Sequence, residues 1–137
     1  MYQHILLAID GSGNALRAAE ETLKITSEQT FIDVVYVADV NKAQQDLLQN
    51  GTNDAIYLAR KRKIAPVEQL LKRANRRFKI TVLHGVPSTE LIRYANENNN
   101  ELVVIGSRGL NTLQEMILGS VSHKVLKRVS CPVLVVK

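Results

Sequence analysis

HILLAIDGSG, residues His4 to Gly13, runs through five consecutive aliphatic residues and stops on Asp10-Gly-Ser-Gly. An apolar run this short, closed by turn formers, predicts a strand buried on both faces with a tight turn behind it. Strands of that kind belong to the middle of parallel sheets covered by helices. A second such run, Glu101 to Ile105, ends at Gly106. These two are expected to be the central strands.

The rest of the chain alternates in the same manner. Asn14 to Thr26 places Ala15, Ala18, Ala19 and Leu23 at helical spacing, and Phe31 to Val40 (FIDVVYVADV) is a β-branched strand. Asn41 to Asn53 is polar and predicts a loop, with room for a short helix at Ala43 to Leu48. Asp54 to Phe78 has a helical pattern that Pro66 should kink or break. Lys79 to His84 predicts the third strand, and a helix starts at Ser88-Thr89-Glu90 and ends at Asn98-Asn99-Asn100. Thr112 to Val129 predicts the last helix and Pro132 to Val136 the fifth strand. Strands alternating with helices imply right-handed parallel crossovers. The expected fold is one domain, residues 1–137: a doubly wound α/β sandwich with a five-stranded parallel sheet and helices on both faces. In the order 3-2-1-4-5 the strand order reverses between strands one and four. Ligands of such folds sit there, outside the carboxyl ends. Asp10 and Gly106 fall at that point.

Composition narrows the classes. The chain is 45% hydrophobic, long enough for a core without staples, and its single cysteine, Cys131, excludes an internal disulfide. The N-terminus reaches a charge at Asp10, too early for a signal peptide or membrane span, so a cytoplasmic setting is expected. Net charge is +5, and Arg60, Lys61, Arg62, Lys63, Lys72, Arg73, Arg76, Arg77 and Lys79 hold half of the 18 basic residues. Only Tyr57 and Phe78 lie near this cluster, which lacks the stacking platform of single-strand binders. Four consecutive basic residues also point in several directions on a helix, so a solvated face is favoured over a nucleic-acid site.

The segment VVIGSRGLNTLQEMILGSVS, Val103 to Ser122, concentrates three glycines after strand four. Glycine lets backbone N–H groups approach an anion, and a helix N-terminus adds unpaired donors and partial positive charge. Neither GxxxxGK[ST] nor GxGxxG is present. Spacing alone leaves two readings open: a phosphate cradle, or turn and packing glycines.

The pattern Gly106-x2-Gly109-x9-Gly119-Ser120 resembles the nucleotide-binding motif of the ATP-binding class of the universal stress protein family. ILLAIDGS (Ile5 to Ser12) resembles its first strand and that strand's acidic end, HGVPSTELIRYANENNNELVVIGSRG (His84 to Gly109) its third helix and fourth strand, and GSVSHKVLKRVSCPVLVVK (Gly119 to Lys137) its C-terminus, so the likeness spans nearly the whole chain. The resemblance implies a five-stranded α/β fold that binds ATP or another adenine nucleotide, usually as a homodimer. It implies that Ile9 and Asp10 contact the adenosine and that Val37 meets the adenine. It implies that Ile105, Gly106, Ser107 and Gly109 line the ribose and phosphates, and that Gly119, Ser120 and Val121 complete the phosphate loop. A Mg or Mn ion would be held through the phosphates and water. Tyr36 stands where histidine is common in the family, at no implied contact.

Other chemistry is thinly supported. His4, His84 and His123 have no metal-ligand spacing, and Ser12 reads as a helix cap because no base is evident for a nucleophile. Cys131, before Pro132 and a buried strand, reads as a packing residue. The expected function is therefore nucleotide binding in a regulatory or stress-response role, without a catalytic residue. The alternative is a nucleotide-α-hydrolase or adenylyl-transferring enzyme of the same fold. That alternative needs a basic residue at the α-phosphate, and only Arg108 lies in the loop. The strand Pro132 to Val136 is short, apolar and at the expected sheet edge, so it predicts a homodimer through that edge.

Overall fold

The computed structural model describes residues 1–39, 53–107 and 118–137. The strands are β1 (His4–Ile9), β2 (Phe31–Asp39), β3 (Arg77–Gly85), β4 (Leu102–Gly106) and β5 (Val133–Val136). The helices are α1 (Gly13–Lys24), α2 (Asn53–Arg73), α3 (Pro87–Glu97) and α4 (Ser120–Arg128). All strand pairs are parallel and the order is β3-β2-β1-β4-β5. The doubly wound architecture expected from the sequence is the one observed, with β1 and β4 at the reversal.

Alternation along β1 divides the core into two layers. Ile5, Leu7 and Ile9 pack with Ala15, Ala18 and Ala19 of α1 and Ile64, Val67 and Leu71 of α2. Leu6 and Ala8 point to the other face, against Leu91 and Ala95 of α3 and Val125 of α4. The small alanine face of α1 lets that helix lie close to the sheet.

Three boundaries depart from the sequence pattern. Pro66 neither breaks nor ends α2, which runs through it to Arg73. A proline removes one intrahelical hydrogen bond, and Pro66 is on the exposed side, where water can replace it. The helix stops before Phe78 because Asn75 adopts a left-handed φ of 54°. The Asn75 N–H donates to Lys72 O (3.1 Å) and the Arg76 N–H to Leu71 O (3.0 Å), the paired bonds that close a helix on a left-handed residue. Arg77 and Phe78 consequently belong to β3. The last helix starts at Ser120, so Leu118 and Gly119 precede it. The short helix expected at Ala43 to Leu48 lies outside the described residues.

Arg76 of the basic cluster has a structural task. Arg76 donates to Thr26 Oγ1 (3.0 Å) and to the carbonyls of Leu23 and Thr26 (both 3.3 Å), closing the C-terminal end of α1. A guanidinium there satisfies carbonyls that the helix leaves open and complements its dipole.

Beneath α3, Asp33 of β2 is 1% exposed. Its carboxylate accepts hydrogen bonds from Thr81 Oγ1 (2.7 Å) and the Tyr94 hydroxyl, with Lys79 Nζ at 3.8 Å. These partners make a buried charge tolerable and tie α3 to β2 and β3. Burial, and then the bond to Asp33, raises the Tyr94 pKa above its ordinary value of 10.0. The stability linked to this shift is fully present below pH about 10 and is lost as pH rises through the folded-state value, because the unfolded chain gives up the proton first. Urea midpoints taken at increasing alkaline pH should therefore fall more steeply for the unmodified protein than for Tyr94→Phe. Equal slopes would show that Tyr94 is not the group responsible.

Candidate functional site

β1 ends in a hydrogen-bonded turn. Asp10, exposed just past the strand, accepts the Ser12 N–H through Oδ1 at 2.9 Å. Gly11 holds φ +83°, a conformation that L side chains rarely adopt. Ser12 then caps α1, its hydroxyl accepting from the Ala15 N–H at 3.3 Å, as expected of it. The second Asp10 oxygen has no protein partner among the described residues and faces solvent as an acceptor.

The end of β4 is tied back to α4. The Ser107 N–H donates to Val136 O and the Gly119 N–H to Ser107 O, both at 2.7 Å. The Ser122 hydroxyl donates to Gly106 O at 2.5 Å. The chain that leaves the sheet at Ser107 has thus returned to it by Gly119. Gly119 is the N-cap of α4 and supplies no side-chain cap, and the first turn carries no acid. The N–H groups of Ser120, Val121 and Ser122 have no carbonyl one turn earlier in the helix to receive them, so they form a positively polarised end.

Gly106 has a packing reason of its own. A Cβ added there would lie 3.0 Å from Asn14 Cβ and 3.2 Å from the Asn14 backbone. The start of α1 rests on this residue, a tight approach that gives glycine a packing role at Gly106. Gly109 and Arg108 lie outside the described residues.

At this end of the sheet the structure places Ile9, Asp10, Ile105, Gly106, Ser107, Gly119, Ser120 and Val121. Ala8 is in register with Ile105, so Ile9 and Asp10 run beside Gly106 and Ser107. Ile9 is in register with Tyr36, which sets Val37 level with Asp10 one strand further out. His84 and His123 are exposed, and no group of three His, Cys, Asp or Glu among the described residues could hold a metal. Burial pushes the Cys131 thiol up, as suits a packing residue. Asp33 escaped the sequence reading, although a lone acid inside FIDVVYV signals a buried charge that must be partnered. No described helix is long and apolar enough to cross a membrane.

A parallel sheet wound in both directions, with a carboxylate turn and an open helix N-terminus meeting at its reversal point, defines an α/β protein of the doubly wound type, a class whose ligands bind at that point. The chain belongs to the universal stress protein family, which it matches over residues 1–137. It is 30% identical to universal stress protein MJ0531 of Methanocaldococcus jannaschii, over all of this chain and 83% of that protein. Among solved structures it is similar to the hypothetical protein MJ0577 of the same organism, with a TM-score of 0.85 and 26% identity over all of this chain and 96% of that one. It is also similar to a universal stress protein in complex with cAMP, with a TM-score of 0.71 and 25% identity over 98% of this chain and 96% of that one.

Proposed function

We propose that this chain binds an adenine nucleotide, ATP in the first instance, and acts as a nucleotide-dependent regulatory or stress-response protein of the cytoplasm. The observation that carries this is the Gly119–Ser107 hydrogen bond. It sets an uncapped helix N-terminus beside the switch point, where the phosphates of a nucleotide lying along β1 and β4 would need donors. The cAMP complex of a related protein supports the same ligand class.

In this reading Asp10 accepts from a ribose hydroxyl through its open oxygen, while Ile9 and Val37 contact the adenosine. Ile105, Gly106, Ser107 and Gly109 line the ribose and phosphates, and Gly119, Ser120 and Val121 receive the phosphates on backbone N–H and hydroxyl. A Mg or Mn ion, where bound, is held by phosphate and water. We also propose a homodimer through β5. The function is binding without rapid chemistry.

Calorimetry with ATP, ADP, AMP and cAMP tests the site, with Asp10→Ala as the variant. Binding is expected to the unmodified protein and to weaken about tenfold in the variant, the cost of one hydrogen bond to a charged group. Absence of heat and of any thermal shift with all four ligands would overturn the proposal. Stoichiometric turnover with a second substrate would favour the adenylyl-transferring alternative.

A further inference from the structure

The inner stripe of α2 changes character along its length. Leu71, Val67, Ile64, Arg60 and Tyr57 follow one another at spacings of four, three, four and three, which places all five on one helix face. The first three are buried in the core, at 0%, 3% and 6% exposure. Arg60 is half-buried, and Tyr57 is 53% exposed. The core-facing stripe therefore continues beyond the core as an arginine and a tyrosine.

The contact between Lys63 and Gly11 shows where that change falls. The Cβ and Cγ of Lys63 lie 2.8 and 2.9 Å from where a Gly11 Cβ would stand, so α2 passes the β1–α1 turn at Lys63. A crossover helix runs antiparallel to its strands, so the residues before Lys63 rise beyond the carboxyl ends of the sheet. From Lys63 back to Asn53 this is about 15 Å at 1.5 Å per residue. The overhang stands on the β1–β2 side of the switch point, beside Asp10 and level with the end of the strand that carries Val37. Arg60 has no hydrogen bond or ion pair among the described residues. Lys61 Nζ lies 4.9 Å from the Tyr57 ring centroid, which restrains the ring.

We infer that Tyr57 and Arg60, on the overhanging inner stripe of α2, form the outer wall of the base pocket and stack on the purine of the bound nucleotide. The inference rests on the nucleotide site proposed above and adds its base-recognition element. A phenol ring and a planar guanidinium both present flat faces suited to a purine. The phosphate donors at Gly119 and Ser120 sit on the β4 side, so the two ends of the ligand are assigned to different walls.

The chain has no tryptophan, so Tyr57→Trp introduces a single reporter. Its emission should change on saturation with ATP and with adenosine, and stay constant with ribose 5-phosphate. Arg60→Met and Tyr57→Ala should each weaken ATP and adenosine by the same factor, about tenfold, as loss of one stacking partner predicts. Both positions lie above the core, so the melting midpoint without ligand should hold. Unchanged emission with ATP, or affinities within twofold of the unmodified protein, would overturn the wall while leaving the nucleotide site standing. A larger loss for ATP than for adenosine would overturn it in favour of a phosphate contact. Failure of the unmodified protein to bind any adenine nucleotide would remove the site itself.

Discussion

Gly106→Val is expected to unfold at a distinctly lower temperature than the unmodified protein, with no nucleotide present. The added Cβ would stand 3.0 Å from Asn14 Cβ and 3.2 Å from the Asn14 carbonyl carbon and oxygen, and two further methyl carbons follow it. Asn14 belongs to the first turn of α1, and backbone there cannot rotate aside as a long side chain would. The helix must lift from β4, which opens the layer where Ala15, Ala18 and Ala19 meet Leu102 and Val104. Overpacking of this kind costs roughly 1–3 kcal/mol. At this chain length that is a fall of about 3 °C in melting midpoint for each kcal/mol. Gly106→Ala carries only the first carbon and should fall between the two. Scanning calorimetry of all three proteins without ligand checks this. An unchanged midpoint for the valine variant would mean that Gly106 is glycine for the sake of the ligand alone. Nucleotide affinity should fall with stability, because the Asp10–Ser12 turn is the leading end of the same helix.

Gly106 also shows where reading the sequence stops. Its spacing to Gly109 and Gly119 left a phosphate cradle and a packing glycine undecided, and the packing partner, Asn14, is more than ninety residues away in the chain. Contacts of that range leave no local pattern. The strands were legible because burial on both faces forces unbroken apolar runs, as in Ile5 to Ile9 and Leu102 to Ile105. The turn after β1 was legible because a cap is a local device, and Ser12 caps α1 as its position suggests. The end of α2 was legible in principle. Asn75 is a residue that tolerates the left-handed conformation, but the basic residues around it sustained the helical pattern. The start of α4 was obscured because apolar spacing continues upstream of Gly119, while the N-cap depends on a long-range bond to Ser107. Of the candidate site, the glycine motif supplied the expectation. The return of the chain to Ser107 and the overhang of α2 above Gly11 depend on tertiary geometry.

Val135→Pro is expected to convert the proposed dimer into a folded monomer, and Leu134→Pro to destroy the fold. The difference follows from the hydrogen-bond phase of β5. The Val103 N–H donates to Pro132 O at 3.0 Å and the Ser107 N–H to Val136 O at 2.7 Å. In a parallel ladder successive residues alternate between the two edges, so Pro132, Leu134 and Val136 turn their backbone groups toward β4. Val133 and Val135 turn theirs outward, and β5 is the last strand of the sheet. An edge of β-prone apolar residues whose N–H and C=O groups have no partner among the described residues invites another strand, and the same strand of a second copy would satisfy it with two-fold symmetry. Proline at Val135 removes a donor only from that open edge, where proline is tolerated. Proline at Leu134 removes the donor to Val103 O inside the sheet, beside residues that form the centre of both core layers. Sedimentation at micromolar concentration should give roughly twice 15.3 kDa for the unmodified protein and 15.3 kDa for Val135→Pro, with far-ultraviolet circular dichroism unchanged. Leu134→Pro should lose its cooperative melting transition. A monomeric unmodified protein would show that this edge is not the dimer interface. A Val135→Pro variant that stays dimeric would place the contact on another surface.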